Sequence, residues 1–124
     1  MRYLGGKSRT ATAIVAAITE HAFRHATPTR WVEPFMGGGS VMVAASRSGA
    51  YTTVCASDIN PLVVTYWKDI RDGWVPPTSV TYDEWYDVRN NPEVYPPAYV
   101  AHVAYNCSFG GKQWGGYARS MKSD

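Results

Sequence analysis

Three glycines and one aspartate carry the first chemical signal. Arg30-Trp31-Val32-Glu33-Pro34-Phe35 reads as a short strand, Met36-Gly37-Gly38-Gly39-Ser40 breaks it, and a second strand-forming run, Tyr51 to Ala56, precedes Asp58. A strand that enters a glycine turn and then a helix leaves backbone N–H groups beside a ligand, and an acid about 20 residues later can bind ribose hydroxyls. Gly37, Gly39 and Asp58 have that arrangement. A dinucleotide site wants Gly or Ala at the last position of Gly-x-Gly-x-x-Gly, where Met42 stands, so a nucleoside cofactor without phosphates fits better than a pyrophosphate. The same residues would also make a plain tight turn between a strand and a helix.

Other candidates are weaker. Gly6-Lys7-Ser8 invites a phosphate-loop reading, but Met1 stands where that pattern needs its first glycine, and there is no room for a preceding strand. His21 and His25 are one helical turn apart, yet Ala22 occupies the place of a zincin's glutamate and no third ligand suggests itself, so no metal site is expected. Cys55 and Cys107 are far apart and form no Cys-x-x-Cys pair, which predicts buried free thiols and neither a disulfide framework nor a zinc site.

The elements that must position these residues follow from pattern and punctuation. Ala11, Ile14, Val15, Ile18 and Ala22 have helical spacing, which predicts a helix over residues 8–25 capped by Ser8 or Thr10. The run 30–35, a small-residue helix from Val41 to Ser48 ended by Gly49, and the run 51–56 make a strand-helix-strand unit. Asn60-Pro61 starts a helix to about Asp72, and Thr81-Tyr82-Asp83-Glu84 has capping-box spacing for another reaching Asn90. Pro96-Pro97 opens a last helix through about Tyr105, and residues 106–124 read as an irregular, Gly-rich, basic tail. Tyr82, Trp85, Tyr86, Tyr95, Tyr99, Tyr105 and Trp114 crowd this half near Arg89, Lys112, Arg119 and Lys122, a mixture that suits nucleic acid, a protein partner or a small aromatic core.

Taken together, Tyr3-Leu4-Gly5-Gly6-Lys7, Val32-Glu33-Pro34-Phe35-Met36-Gly37-Gly38-Gly39-Ser40-Val41 and Asp58-Ile59-Asn60-Pro61-Leu62 resemble three motifs of Dam-type, D12-class DNA adenine N6-methyltransferases, in order and in spacing. Asn106-Cys107-Ser108-Phe109-Gly110-Gly111-Lys112 with Gly115-Gly116-Tyr117-Ala118-Arg119 is similar to a stretch that phage members carry in their target-recognition region. The resemblance implies an α/β fold, the N-terminal half of a Rossmann-like S-adenosylmethionine (SAM) dependent methyltransferase with a helical C-terminal segment. It divides the chain into a partial SAM-binding domain, 1–75, and the start of a target-recognition segment, 76–124. Lys7 would neutralise the carboxylate of SAM while Gly5 and Gly6 permit close approach, with Tyr3 beside them. Glu33, Pro34, Phe35, Gly37 and Gly39 would line the methionine and sugar portions, Asp58 would accept both ribose hydroxyls, and Ile59 would pack on adenine. Asn106, Lys112, Trp114 and Arg119 would face DNA or a partner.

The family binds the amino group of a flipped adenine with Asp-Pro-Pro-Tyr. That motif is missing here: Val75-Pro76-Pro77-Thr78 lacks acid and aromatic, and Tyr95-Pro96-Pro97-Ala98 lacks the acid. No catalytic residue is therefore assigned, and the chain alone is expected to be inactive, because its nucleophile would not be positioned. The implied sheet would be left with an open edge, to be closed by a second half of a methyltransferase or by self-association into a homo-oligomer. The rival expectation is a non-enzymatic, phage-encoded inhibitor of the anti-CRISPR or anti-restriction type, using the half-fold to block a host defence effector. A composition of 45% hydrophobic and 18% charged residues describes a globular protein, and a net charge of +2 permits nucleic-acid contact without demanding it. Without a signal-peptide core or an apolar run near membrane length, a cytoplasmic protein with no membrane partner is expected.

Overall fold

The structure, a computed structural model, describes residues 1–119. Lys122, one of the basic residues named above, lies outside the described residues. The chain divides into two compact units, one of Gly5–Ile59 and one of Met1–Leu4 with the chain from Asn60 onward.

In the first unit, α1 (Ala11–His25) precedes β1 (Arg30–Glu33), α2 (Ser40–Arg47) and β2 (Thr53–Ala56). Thr10 is the N-cap of α1 by position but makes no side-chain cap bond. The Lys7 carbonyl instead accepts the N–H groups of Thr10 at 3.0 Å and Ala11 at 2.8 Å, so a backbone turn supplies what the sequence assigned to a hydroxyl. The strands are parallel, with Arg30 opposite Thr53 and Glu33 opposite Ala56. Both are shorter than the runs that predicted them. Pro34 has no N–H with which to continue β1.

Val15, Trp31 and Ala45 form the core here, with Val41, Ala44, Tyr51 and Val54 packed on it. Trp31 meets Tyr51 edge to face at 5.3 Å, and the Tyr51 hydroxyl pairs with that of Thr19 at 2.7 Å. Strand side chains alternate between faces. With Trp31 and Val54 turned to the helices, Val32 and its register partner Cys55 are left exposed. Cys55 is thus not the buried thiol expected of it, and Cys107 is only half-buried.

The second unit is helical: α3 (Pro61–Arg71), α4 (Tyr82–Asn90), a 3-10 turn at Pro92–Val94, and α5 (Pro97–Ala101). Asn60 caps α3 through its side chain, which accepts the Leu62 N–H at 3.1 Å. Thr81 and Glu84 cap α4 reciprocally, the arrangement their spacing predicted. The last helix departs from expectation: after Ala101 it widens into a π-turn over His102–Asn106. The tail then makes a 3-10 turn at Phe109–Gly111 and an antiparallel bridge between Ser108 and Tyr117. Val80, Trp85, Val88, Val100 and Val103 form this unit's core, joined by Tyr95, Tyr99, Cys107, Trp114 and Tyr117. The fully buried Ser108 hydroxyl accepts the Trp85 indole N–H at 3.0 Å and donates to the Val103 carbonyl at 3.3 Å, satisfying all three polar groups.

The overall picture is a mixed α/β protein of five helices and a two-stranded parallel sheet among the described residues. Among the described residues no helix is long and apolar enough to cross a membrane.

The thiols should differ in reactivity. Burial pushes the Cys107 thiol up to about 11, whereas Cys55 stands exposed on β2. Iodoacetamide at neutral pH should therefore modify Cys55 well before Cys107, read by peptide mass spectrometry. Equal rates would contradict the packing of Cys107 described above.

Candidate functional site

Beyond the two strands, the backbone ladder continues without strand geometry. The Ser57 N–H donates to the Glu33 carbonyl and the Met36 N–H donates to the Ser57 carbonyl, both at 2.9 Å. These bonds carry the chain ends to one place. Gly37 and Gly39 take left-handed conformations, φ +50° and +79°, which favour glycine, and the Gly39 N–H closes the turn on the Met36 carbonyl at 2.8 Å. Gly39 is the N-cap of α2 and has no side chain to cap it, so the first N–H groups of that helix stay available to an acceptor. Asp58 reaches back from the end of β2, its Oδ2 accepting the Gly37 N–H at 2.9 Å.

Around that bond the chemistry is mixed. Phe35 is 88% exposed and Ile59 is 100% exposed, while Met36, Gly38 and Gly39 are buried. Glu33 is half-buried and accepts the Trp31 indole N–H at 3.3 Å; burial raises its carboxyl above the ordinary value, and that bond pulls the other way. The Pro34 carbonyl accepts the Ser57 hydroxyl at 3.2 Å. Gly5, at φ +76°, Gly6 and Lys7 are exposed, and the Lys7 ammonium donates to the Gly5 carbonyl at 3.3 Å.

Tyr3 belongs to the second unit, where its ring lies 5.2 Å from that of Tyr105. The remaining candidates there divide sharply. Asn106 is engaged by the protein itself: its oxygen accepts the Arg2 N–H at 2.6 Å, and its amide nitrogen donates to the Tyr66 hydroxyl at 3.2 Å and lies 3.1 Å from His102 Nδ1. His102 is buried, which lowers its pKa despite a bond to the Pro77 backbone. Trp114 is half-buried, its ring edge to face with Trp85 at 5.9 Å. Lys112 and Arg119 are exposed. Arg119 lines an open cleft of about 360 Å³ with Tyr82 and Tyr117.

Of the aromatic residues singled out above, Trp85 and Tyr105 are core, whereas Tyr82 and Tyr86 are exposed and stacked, centroids 6.1 Å apart. Sequence reasoning passed over Tyr66 and His102, the partners of Asn106. Only the four-residue spacing of His102 and Asn106 hinted at the second. His21 and His25 are both exposed, with rings 4.8 Å apart, and no group of three or more metal-ligating side chains occurs among the described residues.

The family described as D12 class N6 adenine-specific DNA methyltransferase matches residues 3–99 of the chain. No curated protein and no solved structure matches it.

The Gly37 bond gives Asp58 a structural duty whatever it binds. Asp58→Ala should destabilise the protein by about 1.5–3 kcal/mol, the range for a hydrogen bond to a charged group, and Asp58→Asn, which keeps an acceptor, by less. Urea unfolding of the three proteins measures this. An unchanged midpoint for Asp58→Ala would mean that the carboxylate does not hold the turn.

Proposed function

The chain belongs to the D12 class N6 adenine-specific DNA methyltransferase family, and on that premise we propose that it is the SAM-binding part of an adenine methyltransferase, inactive until Asp-Pro-Pro-Tyr is supplied from outside these 124 residues. The observation that carries this reading is the Gly37 N–H bond to Asp58 at 2.9 Å, which puts a carboxylate beside a glycine turn and the start of α2. A carboxylate has about four acceptor sites, so that bond is compatible with ribose hydroxyls donating to the same group. Phe35 and Ile59 are exposed apolar side chains that an adenine ring would cover.

SAM, when bound, supplies an electrophilic methyl group. The residues of this chain bind and orient it. Lys7 is an exposed cation for the methionine carboxylate, and Gly5 and Gly6 let the backbone approach. Glu33, whose carboxyl burial pushes upward, and Pro34 line the same turn with Gly37 and Gly39. Cofactor binding is assigned to residues 1–75 and the start of DNA recognition to 76–124, where Arg89, Lys112 and Arg119 are exposed cations. Nothing in Val75–Thr78 or Tyr95–Ala98 can accept from an adenine amino group as Asp-Pro-Pro-Tyr does. Methyl transfer thus lacks the group that places its nucleophile, an effect able to account for many kcal/mol of a barrier.

Calorimetry with SAM tests the first half of this reading. Binding should be detectable and weakened roughly tenfold or more by Lys7→Ala, which removes a charge-assisted bond. No heat at millimolar SAM would sink the cofactor assignment. The second half is tested with labelled SAM and adenine-containing DNA: the purified chain should transfer no methyl, and a second polypeptide carrying Asp-Pro-Pro-Tyr should restore transfer. Robust methylation by the chain alone would overturn it. Absence of cofactor binding together with capture of a protein target that Arg119→Ala abolishes and Lys7→Ala spares would favour the inhibitor reading instead.

A further inference from the structure

A second open cleft, of about 330 Å³, lies within the helical unit, and its polar lining includes Arg2, Thr78, Ser79, His102, Asn106 and Arg119. Two of these groups are already used by the fold. Burial lowers the His102 pKa, so its ring is neutral at neutral pH, with Nδ1 against the Asn106 amide. Asn106 also bonds Tyr66 and the Arg2 N–H. Thr78, Ser79 and Arg119 differ: all three are exposed, and none of their side chains has a hydrogen-bond or ion-pair partner among the described residues. The Arg2 charge reaches the neighbouring Cys107 thiol, which it pulls down against the larger effect of burial, while Glu84 pushes upward from the cap of α4. Among the described residues no acid lines the cleft. Two guanidinium groups and two hydroxyls without an acid suit an oxyanion, and a phosphate matches the planar fork of arginine.

Both arginines stand on fixed backbone. The Arg2 N–H donates to Asn106 Oδ1 at 2.6 Å, and the Leu4 N–H donates to the Gly111 carbonyl at 3.0 Å. A Cβ at Gly111 would stand 2.6 Å from the Tyr3 nitrogen and 2.9 Å from the Arg2 carbonyl carbon, whereas Gly110, at the same φ of +66°, would place its Cβ in open space. On the other side of the cleft, the Ala118 N–H donates to the Cys107 carbonyl at 2.9 Å, which anchors the residue before Arg119. The Tyr117 hydroxyl ties the same stretch to the Val80 carbonyl at 2.7 Å.

Arg119 also lines the neighbouring cleft of about 360 Å³, whose other walls are Tyr82 and Tyr117. Their rings meet edge to face at 5.6 Å, and Tyr82 is 56% exposed. A cationic cleft thus shares one arginine with an aromatic cleft. We propose that the two clefts together bind one nucleotide unit, its phosphate on Arg2, Arg119 and the hydroxyls of Thr78 and Ser79, and its base on the ring of Tyr82. This rests on the assignment of DNA recognition to residues 76–124 and needs no SAM. A base within a duplex is paired and stacked on its neighbours, so the unit comes from a single strand or from a free nucleotide. Stacking on an aromatic ring tolerates any base, so the site takes nucleotides irrespective of sequence.

Fluorescence anisotropy of the full chain with a labelled thymidine oligomer of about ten nucleotides tests this. Arg2→Gln and Arg119→Gln should each weaken binding about fivefold or more, the loss of a charge-assisted bond, while Lys68→Gln, an exposed cation on α3 that lines neither cleft, should leave it nearly unchanged. Tyr82→Ala should weaken binding by a similar factor and Tyr82→Phe, which keeps the ring, should not. A comparison that needs no variant is an abasic oligomer of the same length, which wild type should bind about fivefold or more weaker than the thymidine oligomer. Equal losses in the Arg2, Arg119 and Lys68 variants, or equal affinity for the two oligomers, overturn the site and leave the DNA assignment standing. So does binding of duplex DNA without binding of the single strand. No binding of either overturns both. Thymidine monophosphate distinguishes the sources: displacement of the oligomer at millimolar concentration assigns the site to a free nucleotide, and displacement by longer oligomers alone assigns it to a strand. Inorganic phosphate that displaces the oligomer as well as the mononucleotide does overturns the role of Tyr82 and with it the proposal.

Discussion

The bond from the Gly37 N–H to Asp58 is where the first unit's local structures meet. It needs a strand on each side, since the two residues are brought together by a parallel ladder whose last bonds run through Glu33, Ser57 and Met36. It needs glycine at two left-handed positions, because a side chain at φ +50° or +79° would be strained. The small core of Val15, Trp31 and Ala45 needs α2 to lie back on the strands, which the turn permits. A carboxylate at that place holds the turn.

The second unit solves a different problem, burying many aromatic rings in a small space without stranding their polar atoms. Ser108 lies at its centre, fully buried between the Trp85 indole and the Val103 carbonyl, and the Tyr117 hydroxyl donates to the Val80 carbonyl at 2.7 Å. Among the described residues the Trp67 indole nitrogen is the one buried side-chain donor without a partner. Aromatic residues drawn into this core are not available as a surface. Those left outside, Tyr82 and Tyr86, share α4 with three acids, Asp83, Glu84 and Asp87, against the single cation Arg89. Such a helix face is ill suited to a phosphate backbone, whose affinity rests on cations. Exposed cations of this unit stand at Arg89 on α4 and at Lys68 and Arg71 on α3, as well as at Lys112 and Arg119 on the tail.

The first four residues and the tail are far apart in sequence yet share one set of contacts. Asn106 serves the Arg2 backbone, Tyr66 and His102 at once, so a residue that pattern alone assigned to partner binding is also an internal connector. Gly111 meets residues 2 and 3 closely enough to exclude any side chain. Its neighbour Gly110 is free of that constraint, a difference invisible in the repeated letters Gly-Gly. Buried His102 belongs to the same network, its pKa lowered by desolvation.

How much of this was legible in the sequence depended on the range of the interaction involved. The capping box at Thr81 and Glu84, the Asn60-Pro61 helix start and the strand-turn-helix around Gly37 are decided by neighbours a few residues apart, and each was readable from residue type and spacing. The match over residues 3–99 bears out the family resemblance for the same reason, since its motifs are short runs whose chemistry is local. The outcome differed where distant segments compete for one volume. Which face of β2 turned outward left Cys55 exposed, and which rings entered the core took Trp85 and Tyr105 inside while leaving Tyr82 at the surface. The π-turn at His102–Asn106 carries no composition signal, and the two glycines at 110 and 111 differ only in what lies opposite them. Residue types determined the elements and the family the motifs resemble; packing between segments separated in sequence decided which side chains are surface, which are core, and which backbone atoms leave room for no side chain at all.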